Sequence, residues 1–432
     1  MAGGNWETQN KVRPGAYINF ETNDLGATGL DSTGAVVLPL TLDWGEVGKF
    51  IKVTSNTKFQ EMFGKSLGDI IPIREAFKGT GQVIVYNLNG EGQKATATSG
   101  TLVATAKYGG TDGNKIRVTV TVGLEGTSTV KTFYNGSQVD SQVVANVAEL
   151  EPNGFLIFTG ELPTSDATLT LAGGTTVAAT NESYSECAAG LDTQDFKVVA
   201  IGTNDATVKT LFTLKVKEWR QQTGKNVTVV TNDYKAADFE GVVSVLNGVT
   251  LEGNEELSAK DALYWYAAAY ANATTNSLTY AEYPGAIDCE RKSHDEIVQA
   301  LKDGHIVYTF NNDSVVVEQD INTFRSFTVK KNQDFRKNKI VREMGIVSNN
   351  VQYIYSKFFI GKVDNHANGR DLFKQQIMKV VLDPLVRVGA IDPYITEDIN
   401  IEQGAEKDAV LATIGIKFND AMEKLYMTVA CK

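Results

Sequence analysis

Two hydrophobic periods alternate along this chain, one of two residues and one of three to four. Near the start, Ala16, Ile18 and Phe20 alternate with Gly15, Tyr17 and Asn19. At the other end, Leu425, Met427, Val429 and Cys431 alternate with Lys424, Tyr426, Thr428 and Ala430. A period of two predicts a β-strand with one buried face. Polar or glycine-rich stretches lie beside both runs, at residues 1–12, 23–34 and 401–408. A strand needs a sheet edge, because an unpaired strand leaves its N–H and C=O groups open. That edge belongs either to the same molecule or to a neighbouring copy. In the second case the protein is a polymer subunit, joined to its neighbours by strand addition.

Between Glu91 and Thr180 the period of two dominates again, in a segment with 17 threonines and few aromatics. Runs such as Ile116–Val122 and Phe155–Phe158 are separated by turn signals, among them Gly109-Gly110, Asn135-Gly136 and Gly173-Gly174. Short strands at such spacing predict a β-sandwich. A different texture resumes on both sides, so the segment is an insertion.

From Ser183 to Thr328 the pattern is α/β. Lys197–Ile201 and Val227–Val230 are short apolar strands. Between them a helix is predicted over Thr207–Gln222, with Val208, Leu211, Phe212, Leu214, Val216 and Trp219 as its apolar positions and Gly224 as its end. Such alternation predicts a parallel sheet with helices on its faces. Ser258 and Asp261 fit the cap of a helix running to about Ala271. The stretch Leu38–Leu88, with the strand Val83–Tyr86, completes the same domain. The expected division is an N-terminal arm at 1–30, the first part of the α/β core at 31–90, the inserted sandwich at 91–180, the rest of the core at 181–335, and an α+β C-terminal domain at 336–432 ending in an arm strand.

Charge adds an asymmetry. The formal net charge is −11, yet Arg325–Arg387 holds 13 Lys or Arg against five Asp or Glu, a surplus of eight that leaves −19 for the rest. A helix is predicted over Arg370–Leu382. Phe373, Ile377, Val380 and Val381 share one face, Arg370, Lys374 and Lys379 lie away from it, and Pro384 ends or kinks it. The basic block implies either an acidic partner or a solvated face balanced within the fold. The acidic total excludes a general affinity for nucleic acid. Residues 1–9 have neither the basic start nor the apolar stretch of an export signal, and Ala262–Ala281 is too interrupted to span a membrane. Cys187, Cys289 and Cys431 are odd in number and far apart, which suggests a reducing compartment and no disulfide framework. The expected place of synthesis and folding is a cytoplasm.

Candidate chemistry comes close to several motifs and fails each. Gly64-Lys65-Ser66 ends like a phosphate loop, but Phe59 stands where its first glycine belongs. Gly224-Lys225 fails likewise at Trp219 and Asn226. Gly90, Gly92 and Ala95 fit a dinucleotide fingerprint, but an alternating segment follows them in place of a helix. Asp364, Asn368 and Gly369 fit part of a calcium loop, which His366 and Gln375 interrupt. His294, His305 and His366 have no metal-ligand spacing and are expected in turns or at the surface. No serine sits in a nucleophile elbow. Ser, His and Asp meeting only in space remain open, and so does a hydrolase. A secreted adhesin with a β-sandwich would need the missing export signal. The expectation is no catalytic residue, no cofactor and no metal.

One ordered set of segments resembles a known family. It comprises Arg13-Pro14-Gly15-Ala16-Tyr17, then Leu301–Phe310, then Val317-Glu318-Gln319-Asp320-Ile321-Asn322-Thr323-Phe324. Asn338–Arg342, Gly361-Lys362-Val363, the helix opened by Arg370 and the closing run Asp420–Val429 follow. Together they resemble the tail sheath proteins of contractile phages, most of all those of defective prophages and phage-tail-like bacteriocins. The resemblance implies a subtilisin-like α/β core without protease activity, a β-sandwich insertion and a C-terminal domain. It implies a structural subunit that polymerises helically around an inner tube and contracts to drive that tube through a cell envelope. Further copies, a tail tube protein, and baseplate and tail terminator proteins are then the partners, with assembly in a host bacterial cytoplasm and no membrane insertion. Ala16, Tyr17, Ile18, Asn19 and Phe20 and Leu425, Tyr426, Met427, Thr428 and Val429 become inter-subunit arm strands. Arg370, Lys374 and Lys379 become the tube-facing surface. A hydrolase on a subtilisin-like fold is the alternative.

Overall fold

A computed structural model describes residues 2–4, 13, 15–17, 34–123 and 126–431. The chain divides into two compact units. One comprises Val37–Arg74 and Gly81–Thr193; the other comprises Met1–Val36, Glu75–Thr80 and Gln194–Lys432.

In the first of these, the segment from 94 to 170 folds as a β-sandwich. One sheet has the order Ser137–Val144, Ser128–Tyr134, Ile116–Val122, Ala167–Thr170, and the other the order Leu156–Thr159, Leu102–Gly109, Lys94–Ser99. All neighbours in both sheets pair antiparallel. The period of two does what it predicts here. Ile116, Val118 and Val120 point into a core with Leu102, Ala104, Val130, Leu156 and Leu169, while Arg117 and Thr121 stay exposed. Trp44, far away in sequence, belongs to the same core. Its indole Nε1 donates to Glu61 O at 2.9 Å, and its ring meets Tyr108 edge-on at 5.3 Å. Gly110 has φ 129°, and a Cβ there would lie 2.0 Å from Asp43 O. Only glycine fits that turn. The same unit holds the wholly buried strand Val83–Asn87, paired antiparallel with Phe50–Val53.

The other unit carries four parallel strands in the order His305–Ile306, Val242–Val245, Thr228–Asn232, Val198–Ile201. The helix Ala259–Asn272, buried along most of its length, packs on three of them. The helix Ala206–Glu218 continues as a π turn, Trp219–Thr223, and stops at Gly224 with φ 74°. It buries Val208, Phe212, Val216 and Trp219 and exposes Leu214. Ser258 is the cap residue of Ala259–Asn272, but its hydroxyl donates to the Asp261 carboxylate at 2.6 Å and makes no bond to the helix backbone.

Beyond residue 330, the long helix Asn338–Ile354 and the stretch Ala367–Arg387 enclose Val351, Ile354, Phe359, Phe373, Ile377, Val381 and Leu385. A two-stranded hairpin, Ile399–Gln403 with Val410–Ile414, adds Ile399 to that core. Of the two expectations for Pro384, it does not end the helical stretch; a departure from regular α-helix directly precedes it. Ala367–Gln376 passes into a π turn at Ile377–Leu382 and then into Asp383–Arg387. The proline falls in the first turn of that last piece, directly after the π turn. The wider π turn also rotates Val380 out of the buried face to 46% exposure. No helix among the described residues is long and apolar enough to cross a membrane.

Candidate assembly surfaces

The predicted basic surface is only partly open. Arg370, Lys374 and Lys379 lie on one helical stretch, but Arg370 and Lys374 are half-buried and only Lys379 is exposed. The Arg370 guanidinium turns back to the preceding loop, donating to Asn365 Oδ1 at 2.9 Å and to Asn365 O at 3.3 Å. His366 caps this helix through Nδ1, which accepts from Gly369 N at 2.9 Å. Apolar side chains share the outer surface with Lys379: Leu372 is 49% exposed, Val380 46% and Val388 54%. Sequence periodicity placed Val380 inside because it assumed 3.6 residues per turn throughout.

The C-terminal run forms no strand within the chain. From Asn419 to Cys431 no residue belongs to a helix or strand, and Leu425, Tyr426, Met427, Thr428 and Val429 are all exposed. The expected buried face is therefore missing in the single chain: Leu425 is 85% exposed, Met427 73% and Val429 72%. What holds the root of this tail is Glu423. Its carboxylate accepts from Lys337 Nζ at 2.5 Å, Gln319 Nε2 at 2.6 Å and Thr279 Oγ1 at 2.9 Å, and Lys337 also reaches Asp420 at 3.0 Å. Burial pushes the Glu423 carboxyl up, but the hydrogen bonds from Lys337, Gln319 and Thr279 outweigh it and hold it below the usual range. Sequence reasoning missed this clasp. Its only signal was the juxtaposition, in composition, of an acidic tail root and a basic block.

At the other end, Gly15–Tyr17 pairs in parallel with Ala2–Gly4. The Tyr17 hydroxyl donates to Arg13 O at 2.7 Å. Ile18, Asn19 and Phe20 lie outside the described residues.

The histidines need one correction. His294 and His366 are exposed at helix starts, as expected, but His305 is buried on a parallel strand. Its Nδ1 lies 2.9 Å from Ser244 Oγ. That hydroxyl also accepts from Tyr234 N at 2.7 Å. Burial lowers the His305 pKa, against the pull of Asp233 and Asp303. A serine and a histidine thus meet, but at 0% and 3% exposure they offer no substrate a way in. Among the described residues no His, Cys, Asp and Glu group could hold a metal. Gly64, from the failed phosphate loop, is the left-handed end of the short helix Phe59–Phe63.

Four family domains match successive parts of the chain. They are the tail sheath protein Gp18 domain III N-terminal region over 33–88, the phage tail sheath protein β-sandwich domain over 90–180, the phage tail sheath protein central domain over 177–323 and the phage tail sheath C-terminal domain over 330–432. The phage-like element PBSX protein XkdK of Bacillus subtilis (strain 168) is 34% identical over 466 aligned residues, 99% of each chain. This chain belongs to the phage tail sheath protein family. The crystal structure of a sheath tail protein from Desulfitobacterium hafniense superposes with a TM-score of 0.85 at 35% identity, covering 96% of this chain and 99% of that one. The contracted helical sheath of the anti-feeding prophage shares the fold, with a TM-score of 0.59 at 12% identity over 98% of this chain and 100% of its own. Sheath family members are structural proteins, and nothing in these likenesses supports the hydrolase alternative.

Proposed function

We propose that this sheath protein polymerises as a helical sleeve around an inner tube and drives that tube by contracting, with its two terminal arms as the ties between copies. The observation that carries the reading is the tail beyond Glu423: a strand pattern with apolar residues on one side and no partner strand among the described residues. An apolar strand left in water is a docking segment or an aggregation hazard. The hairpin Ile399–Gln403 with Val410–Ile414 offers a complement. Among the described residues it is a sheet of two strands, and such sheets are marginal alone but gain from added strands. Leu425, Tyr426, Met427, Thr428 and Val429 then extend a neighbour's sheet, as do Ala16, Tyr17, Ile18, Asn19 and Phe20 at the other end.

The helical stretch Ala367–Arg387 serves as the tube-facing surface. Arg370, Lys374 and Lys379 supply its charge, and Leu372 and Val380 add apolar contact. Exposed ion pairs are individually worth roughly 0.2–1 kcal/mol, so attachment depends on many copies acting together. During contraction the domains turn as rigid bodies while the arms keep neighbours tied. Stored free energy of assembly drives the stroke, with a core of subtilisin-like topology that catalyses nothing. The sleeve assembles in the host bacterial cytoplasm and meets baseplate, tail terminator and tail tube proteins there, with no nucleic acid and no membrane insertion.

Deleting residues 424–432 tests the reading. The expected product is a folded, soluble chain that forms no sleeves in negative-stain electron microscopy. Normal sleeves from that chain would overturn it, and a loss of monomer folding would favour the intramolecular alternative for the tail.

A further inference from the structure

We propose that a cavity beside the long helix Asn338–Ile354 binds one small oxyanion, of the size and charge of inorganic phosphate. The cavity measures about 40 Å³ and is lined by Lys197, Arg220, Asn226, Thr228, Arg342 and Asn349, among others. A single water needs roughly 10–15 Å³ by the same measure, so there is room for a group of several atoms. Among the described residues no Asp or Glu lines it. Asp320 offsets one of the three cations from behind, 2.9 Å from Arg342 Nη2.

Arg342 itself points to a missing ligand. Its guanidinium is buried, with Nε and Nη2 donating to Thr274 O and Asn276 O. Nη1 is also buried and has no hydrogen-bond partner among the described residues. Guanidinium forks match oxyanions in geometry and charge, and a buried donor left without a partner is costly. Lys197 and Arg220 are half-buried and line the same cavity, with Arg220 Nη1 donating to Val227 O at 3.1 Å. Burial draws the Lys197 ammonium down to about 8, because a cation taken out of water loses hydration. Asn226, Thr228 and Asn349 add neutral polar groups suited to the remaining oxygens.

The position gives the site a consequence. Arg342 and Asn349 lie in the part of the chain matched by the C-terminal family domain. Lys197 and Arg220 lie in the part matched by the central domain. A bound oxyanion would cross-link the two segments, stiffening the joint between them whether or not the chain is polymerised.

Titrating inorganic phosphate into the full chain tests this, against potassium chloride at equal ionic strength. Calorimetry should show saturable binding with one phosphate per chain, and the melting midpoint should rise by a few degrees at saturation. Arg220→Gln and Lys197→Met should each weaken phosphate binding at least tenfold. Equal midpoints in phosphate and chloride would overturn the proposal, and so would unchanged phosphate affinity in both variants. The first comparison needs no variant, so a substitution that fails to fold does not shield the idea.

Discussion

The strand Ile116–Val122 and the tail Leu425–Val429 carry nearly the same message in sequence: apolar side chains at every second position. Their fates are opposite. The first lies between two neighbours, with Val118 facing Thr132 on one side and Leu169 on the other, and Ile116, Val118 and Val120 are sealed in a core. The second meets no strand among the described residues, and its apolar side chains are exposed. A period of two therefore specifies which side chains share a face. It does not specify where the covering surface is, which depends on contacts distant in sequence or on another molecule.

The same substitution in the two places should expose that difference at its largest. Ile116 is fully buried, and Ile116→Ala removes packed methylenes and leaves a cavity. A loss of about 2–5 kcal/mol is expected, measured by denaturant unfolding. Leu425→Ala should change the stability of the isolated chain by less than about 0.5 kcal/mol. Comparable losses at the two sites would mean that the tail packs on its own chain.

A smaller effect tests the polar ties of the sandwich. The Tyr134 hydroxyl donates to Gly64 O at 2.6 Å and lies 3.2 Å from Asp112 Oδ2, all buried. Tyr134→Phe keeps the ring but leaves those acceptors short of a donor, at a cost of about 1–3 kcal/mol. An unchanged midpoint in urea would show that water replaces the hydroxyl.

Glu423 marks the boundary between the two behaviours, since the chain is held up to it and released after it. Its carboxyl is held below its usual value, so the sign is that of a stabilising carboxylate. The contribution is present above the unfolded value near 4.5 and is lost as pH falls through the lower folded value. Glu423→Gln should cost about 1 kcal/mol near neutral pH, and the difference from the parent should vanish in acid. It should also extend protease cutting from the tail inward toward Asp420. A pH-independent difference would remove the charge from the explanation.

Much of this fold was legible because its signals are local. Turn pairs such as Gly109-Gly110, the helix stop at Gly224 and the alternation of Ile116–Val122 each act within a few residues. The parallel strands followed from alternating periods. What escaped needed information from elsewhere. Trp44 joins a core built mostly from residues beyond 90. The burial of His305 is set by the strand carrying Ser244. The π turn at Ile377–Leu382 moves Val380 outward and lets the chain pass Pro384. The candidate surfaces were readable as segments, yet Arg370 is half-withdrawn by Asn365 and the Glu423 clasp reaches from Thr279 to Lys337. Such pairings carry no period.

The smallest effect on the chain alone should accompany the largest effect on assembly. Met427 is 73% exposed and belongs to no strand, so Met427→Pro takes away an N–H that bonds to nothing among the described residues. Its unfolding free energy should stay within about 0.5 kcal/mol of the parent. In a sleeve the same N–H would face a neighbour's strand. Five residues span about 17 Å at roughly 3.3 Å each, enough for a few ladder bonds worth about 0.5–1.5 kcal/mol apiece. Proline in mid-strand removes one bond and disturbs the next. One arm is thus a weak tie, but the loss recurs at every subunit of a polymer, so a modest local cost becomes a failure to grow. Sedimentation and negative-stain images should show folded chains without sleeves. Normal sleeves from Met427→Pro would mean that the tail holds its neighbours by side chains and not by its backbone.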